Sequence, residues 1–289
     1  MKKRLIIVFC ALLPFLPLEA SEIKHYEMPG TQTVPIENTA TEGQYELYIK
    51  LPENYDENKT THYPVVYFTD AVWHIELLSA ATSYLMEEVI LVGISWQVDM
   101  PTKLLEDAGA HVSRYRDYSI EPSTNPEHQT KYQFGQASEH LAFIRNNVIK
   151  HVEANYRTDP SNRTYFGYSM GGEFGAYVLL AEPDTFKHFI LGSPSVKGSI
   201  AYFTALESST SLASKSLENN VFVSYGKLEQ ELGGYVDELI SVLEKRSSKG
   251  LALTHELIEG DHQRAFPMTG VRSVTWLSEL HQAGKSHPK

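Results

Sequence analysis

The chain has a single cysteine, Cys10, among 289 residues, and it lies within the first apolar run. Beyond that run there is no thiol. The absence excludes a disulfide scaffold, a cysteine nucleophile and Cys-ligated zinc, so a hydrophobic core must hold the fold. Basic residues are scarce as well: 25 Lys and Arg stand against 36 Asp and Glu, for a formal net charge of -11. A phosphate backbone needs a basic face, so the chain is a poor candidate for nucleic-acid binding. Adhesion to anionic lipid is disfavoured for the same reason. Neither HExxH nor a phosphate-cradling GxxxxGK[ST] occurs. No metal and no cofactor is therefore expected, and lone histidines such as His111 and His140 read as solvated. Internal repeats and low-complexity tracts are lacking.

Long apolar runs are nearly absent too. The exception spans Leu5 to Leu18, follows Lys2, Lys3 and Arg4, and is followed by Ala20. A basic start, a short apolar stretch and a small residue at the cut describe a secretory signal peptide over residues 1–20. The run falls short of the roughly 20 apolar residues of a membrane span, and Pro14 and Pro17 interrupt it. The expectation is a periplasmic or secreted protein, with residues 21–289 as a single domain and no stable membrane insertion after cleavage. Removing residues 1–20 takes away three cations and one anion (Glu19), which moves the net charge from -11 to -13.

What is present is ordinary for a globular protein: 42% hydrophobic and 21% charged residues. Tyr45 to Leu51 alternates apolar and polar positions and reads as a half-exposed strand. Pro64 to Thr69 and Val89 to Ile94 are continuous apolar runs, which suit strands buried on both faces. Ala137, Leu141, Ile144, Val148 and Val152 recur at helical spacing. A short strand Thr164 to Tyr168 precedes a small-residue helix, Gly171 to Leu180. Strand and helix then alternate through His188–Leu191, Val221–Tyr225, Val236–Leu243, Ala252–Ile258 and a last helix through Val271, Val274 and Leu277. This pattern implies an α/β fold whose mostly parallel central sheet has helices on both faces. Residues 99–135 and the serine-rich 205–219 fall outside the alternation. The first stretch suits a loop over the carboxyl edge of the sheet, where open α/β sheets bind ligands, as well as a plain connection. The second reads as a connection.

Gly167-Tyr168-Ser169-Met170-Gly171 has the G-x-S-x-G form. A serine on a sharp strand-to-helix turn projects its hydroxyl above the sheet, and the tight backbone leaves no room for side chains two residues to either side. The following helix start offers amide hydrogens to an oxyanion. The pattern alone is common, but the preceding strand and the following small-residue helix give it context. Ser169 is thus the candidate nucleophile. A base and an acid should follow, and His262 sits after the Ala252–Ile258 strand, while Glu229 follows the Val221–Tyr225 strand. Glu231 and Asp237 compete for the acid; Asp261 is read as pointing away. The oxyanion hole should combine the amide of Met170 with that of Val72, or alternatively Ala71. Trp73 and His74 then lie close to substrate.

Several short motifs in one order resemble the putative-esterase branch of α/β hydrolases, which includes S-formylglutathione hydrolases (esterase D), feruloyl esterases, mycolyltransferases and siderophore esterases. They are Tyr67-Phe68-Thr69-Asp70, Val92-Gly93-Ile94, Arg114-Tyr115-Arg116-Asp117-Tyr118, Tyr156-Arg157-Thr158-Asp159, the serine motif with Gly172, Ser193-Pro194-Ser195, Gly226-Lys227-Leu228-Glu229 and Asp261-His262. The resemblance covers most of residues 40–280 and implies an α/β-hydrolase fold with Ser169, Glu229 and His262 as the triad. Arg-x-Arg-Asp-Tyr and Ser-Pro-Ser are most similar to the siderophore-esterase group. That group usually has glycine where Ala71 stands, and a tryptophan soon after Ser-Pro-Ser, where this chain has Val196-Lys197-Gly198. A trianionic ferric siderophore calls for a basic cleft, with Arg114, Arg116 and Lys197 as its local sources and the two arginines as substrate-binding candidates. The expected activity is hydrolysis of a small-molecule carboxylic ester through an acyl-enzyme. Two other readings stand beside it: a non-catalytic ligand-binding relative, and an acyltransferase using the same serine.

Overall fold

The apolar runs bounded by proline, glycine and aspartate pair into one eight-stranded sheet, in a computed structural model that describes residues 26–57, 59–209, 218–246 and 250–286. The proposed leader, residues 1–20, lies outside the described residues, as does most of the serine-rich stretch. The strands are β1 (Thr31–Glu37), β2 (Gln44–Lys50), β3 (Tyr63–Phe68), β4 (Ile90–Ile94), β5 (Thr158–Tyr168), β6 (His188–Gly192), β7 (Asn220–Gly226) and β8 (Ala252–Ile258). Their order is β1-β2-β4-β3-β5-β6-β7-β8. The pairs β1–β2 and β2–β4 are antiparallel, and every other pair is parallel. The helices are α1 (Ala71–Leu85), α2 (Thr102–Ala108), α3 (Arg114–Asp117), α4 (Pro126–Tyr132), α5 (Ala137–Phe143), α6 (Ile149–Asn155), α7 (Met170–Ala181), α8 (Ile200–Ser208), α9 (Gln230–Glu244) and α10 (His262–Ser286).

Side chains alternate across a strand, so each buried strand feeds two cores. Val65, Tyr67, Val92, Tyr165 and Val223 face one core with α5, α6, α7 and α9. Val66, Phe68, Leu91, Phe166 and Phe222 face the other, under α1 and α10. That is the two-sided cover expected of strands with no polar face. All six residues of β3 and all five of β4 are buried.

Several elements differ from the sequence expectation. β5 begins at Thr158, not Thr164; its first half is polar and joins β3 through a register shift between Tyr63 and Val65, so no apolar run announces it. The helix through Ala137 and Val152 is α5 and α6 joined by a π-helical turn, Ile144–Val148. Residues 99–135 contain α2, α3 and α4, and neither α2 nor α4 buries a residue. Helices that bury nothing carry no periodic apolar signal.

Glu173, in the first turn of α7, yields a test of the packing behind the site. Burial raises its pKa to about 7, only partly opposed by a hydrogen bond from Ser199 Oγ. An unfolded Glu173 would titrate near 4.5. The folded state thus holds the proton more tightly, and this contribution to stability is lost as pH rises from about 4.5 through 7. Glu173→Gln should raise stability by ~1–3 kcal/mol at pH 8 and change it little at pH 4.5. Thermal melts at both pH values measure it, and equal effects at both would contradict the assignment.

Candidate active site

β5 ends at Tyr168 and α7 starts at Met170, leaving one residue to turn the chain. Ser169 adopts φ 57° and ψ -120°, a conformation that costs a non-glycine residue about 1–3 kcal/mol. Its surroundings impose it. Ser169 N donates to Gly192 O (2.9 Å), and its own carbonyl accepts from Glu173 N (3.0 Å) and Ser195 N (3.1 Å). Met170 is the first residue of α7, so its amide precedes the helix's own hydrogen-bond ladder. Ala71 and Val72 stand likewise at the start of α1, ahead of the Trp73 and His74 amides, which both donate to Asp70 O.

The imidazole of His262, first residue of α10, is held at two points. Its Nδ1 donates to Glu229 Oε1 at 2.5 Å, which assigns the ring proton to Nδ1 and leaves Nε2 as an acceptor. Its main-chain carbonyl accepts from the Tyr168 hydroxyl (2.6 Å), whose ring packs 5.1 Å from the imidazole. Glu229 Oε2 accepts from Gly226 N (2.6 Å) and Ser193 Oγ (2.8 Å). Burial pushes the Glu229 pKa up, but these donors and His262 outweigh it, and the carboxyl sits below its ordinary value. The other acids are engaged elsewhere: Glu231 with Lys197 (2.5 Å), Asp237 with the Tyr225 hydroxyl (2.7 Å), and Asp261 with the Arg264 amide (3.0 Å).

Ser169 and His262 line one cavity of about 380 Å³. The Ser169 hydroxyl meets Ser195 Oγ at 3.1 Å, and among the described residues no hydrogen bond joins it to the imidazole. Trp73, Tyr168 and Phe266 supply aromatic walls. Trp73 remains 47% exposed, so it is not core packing. Asp70 and Arg114 line the cavity as well. Asp70, in the left-handed region at φ 56°, is fully buried. Its Oδ1 lies 2.7 Å from Arg114 Nε, and its Oδ2 accepts from the same guanidinium at 3.2 Å. Trp96 Nε1 donates to Oδ1 at 2.7 Å. The guanidinium also lies 5.0 Å from the Trp73 ring.

The structure therefore brings together Ser169, His262, Glu229, Trp73 and Arg114. His74 also lines the cavity, but it is 3% exposed and packs between Phe166 and Phe266. Burial lowers its pKa, favouring the neutral ring. Val72 is half-exposed at the helix start, and Ala71 is buried beside it. Arg116 does not join the group. It lines a separate cavity with Tyr45, Gln97 and Asp117, bonded to all three. Residues i and i+2 on a helical turn project about 200° apart, so Arg114 and Arg116 face opposite ways. His111 and His140 are not solvated either: the first is half-buried against Trp73 and Trp96, and the second is buried against Tyr118 and Phe174. Sequence reasoning missed Asp70, Ser193, Gln263 and Phe266 as site residues. Asp70 and Ser193 fell within quoted motifs; the other two carried no signal.

The sequence profile of the family described as "Putative esterase" matches residues 38–272. The chain is 24% identical over 222 residues to the ferri-bacillibactin esterase BesA of Bacillus subtilis, covering 71% of this chain and 73% of that protein. It is 24% identical over 235 residues to the siderophore triacetylfusarinine C esterase of Aspergillus fumigatus, covering 76% and 75%. The solved IroE-like serine hydrolase of Shewanella oneidensis is similar in fold, with a TM-score of 0.70 at 20% identity over 86% of this chain and 79% of that one.

Proposed function

We propose, for a chain that belongs to the putative-esterase family of α/β hydrolases, a two-step hydrolysis of carboxylic esters carried by Ser169, His262 and Glu229. The observation behind it is a serine in a strained strand-to-helix turn that shares a cavity with an imidazole oriented by a buried carboxylate. In the first step Ser169 Oγ leaves Ser195, gives its proton to His262 Nε2 and attacks the ester carbonyl. The new oxyanion is received by the Met170 amide and that of Val72 or Ala71. The C–O bond breaks as His262 returns the proton to the departing alcohol, leaving an acyl group on Ser169. A water then enters, gives its proton to His262, and releases the acid by the same steps in reverse. Glu229 keeps the imidazole in the tautomer that both steps need.

The names of the relatives support a siderophore ester as substrate; a siderophore trilactone or another small acyl ester is the class proposed. The basic start and apolar run of residues 1–20 support export to the periplasm or beyond, and no helix among the described residues is long and apolar enough to cross a membrane. Fluorophosphonate labelling tests the central claim: one adduct should form, and peptide mass spectrometry should locate it on Ser169. A folded protein that takes no label is a binding module instead.

A further inference from the structure

The turn after β6 touches every member of the proposed relay. Gly192 O accepts from Ser169 N at 2.9 Å, and Ser195 N donates to Ser169 O at 3.1 Å. Between them, Ser193 is fully buried and sits in the left-handed region at φ 37°. Its amide donates to Ser224 O of β7 at 2.6 Å, which ties the turn to the strand that Glu229 follows. A non-glycine residue at this φ carries strain that its surroundings must impose. The Ser193 hydroxyl lies between two acceptors, Glu229 Oε2 at 2.8 Å and the Tyr168 hydroxyl oxygen at 2.9 Å. The Tyr168 proton is already committed, because it goes to His262 O at 2.6 Å and a carbonyl can only accept. Burial raises the Tyr168 pKa, so that proton stays on the phenol. Ser193 thus has one proton for two oxygens, and the ionised carboxylate is the stronger acceptor. A closed circuit results, from Ser193 to Glu229, to the His262 ring and its carbonyl, to Tyr168 and back.

We propose that Ser193 is a positioning residue for the hydrolysis: its single proton holds Glu229 in line with the imidazole and takes up part of the carboxylate charge that His262 feels. The inference rests on the ester-hydrolase reading above and adds a residue to it. Glu229 Oε1 is spent on His262 Nδ1 at 2.5 Å, and Oε2 has the Gly226 amide at 2.6 Å as its other donor. Without the hydroxyl, Oε2 loses one of its two anchors. The carboxylate would also direct more of its charge at the imidazole, so His262 would hold a proton to higher pH. The other charged groups around the pair are matched elsewhere: Asp261 with Arg264, Lys227 with Glu259 and, across the cavity, Asp70 with Arg114. Burial favours the neutral ring of His74, which lines the same cavity. Among the described residues, none of these groups donates to Glu229.

The test measures kcat/KM for 4-nitrophenyl butyrate against pH, read at the isosbestic wavelength of the leaving group. Ser193→Gly removes the hydroxyl and suits φ 37° better than serine does, so the fold should be kept. On the plateau its kcat/KM should fall about 10-fold, and the midpoint of the acid limb should rise by about 0.5–1 pH. Ser193→Ala should show the same rise with the backbone strain retained. A side chain that only packs would lower the rate without moving the midpoint. Tyr168→Phe removes the competing acceptor and leaves the Ser193 proton to Glu229, so its midpoint should stay at or below that of wild type. An unmoved midpoint in both Ser193 variants, with melting temperatures near wild type, overturns the proposal. So does an upward shift in Tyr168→Phe equal to that in Ser193→Gly, which would trace the effect to the circuit as a whole. Fluorophosphonate labelling separates the two readings. A wild-type protein that takes no label at Ser169 removes the ester hydrolase, whereas a labelled one with unmoved midpoints removes only the role of Ser193.

Discussion

Ser169→Ala should lower kcat for 4-nitrophenyl butyrate by about 10⁵–10⁶, with the melting temperature within a few degrees of wild type. Among the described residues the hydroxyl hydrogen-bonds only Ser195 Oγ, at 3.1 Å, so its removal costs little. The backbone conformation at φ 57° is equally strained for alanine, so no relief or new clash arises there. The chemistry, by contrast, has no second nucleophile in place. Ser195 directly follows Ser193-Pro194, and among the described residues no hydrogen bond joins its hydroxyl to the imidazole. Burst-phase and steady-state release of 4-nitrophenol check the result. Turnover within a factor of ten of wild type would remove Ser169 from the mechanism.

The second large effect concerns stability. Gly167→Ala should destabilise the fold by more than ~4 kcal/mol and abolish labelling at Ser169. A Cβ at residue 167 would overlap the carbonyl group of Gly171 and approach the Tyr165 hydroxyl to 2.8 Å. That hydroxyl already donates to Gly171 O at 2.8 Å, so neither neighbour can retreat without opening the turn. Gly234 supplies the contrast. It lies exposed inside α9 with nothing near its would-be Cβ, so Gly234→Ala should stabilise by about 0.5–1 kcal/mol. Urea titrations of the pair read both signs. A Gly167→Ala protein with wild-type stability would mean that the turn has slack the contacts do not indicate.

Much of this arrangement was legible before any coordinates. Strands buried on both faces announce themselves as unbroken apolar runs, which is why β3, β4, β6 and β7 fell close to their expected places. The serine turn was readable because its glycines answer to close backbone approach, a requirement on residue type. Glu229 and His262 could be proposed because each follows a strand of a parallel sheet, and such strand ends gather on one edge. β1 was missed. Its sequence, TQTVPIE, buries only Ile36 and carries a proline, as an outermost strand can. The charged residues were harder. Arg114 and Arg116 are chemically alike, and only the direction of one short helix separates the cavity each enters. Nor does a histidine code declare its burial: His140 lies in the core although a lone histidine reads as solvated.

The order of the strands also sets the timing of the site during synthesis. The serine turn sits at the end of β5, while the imidazole comes only after β8, near the close of the chain. The carboxylate and the imidazole are themselves 33 residues apart. Ribosomes add about 5–20 residues per second, so the turn is made several seconds before its partners exist. On the proposed mechanism, a nascent chain that has not yet supplied Glu229 and His262 would not hydrolyse esters.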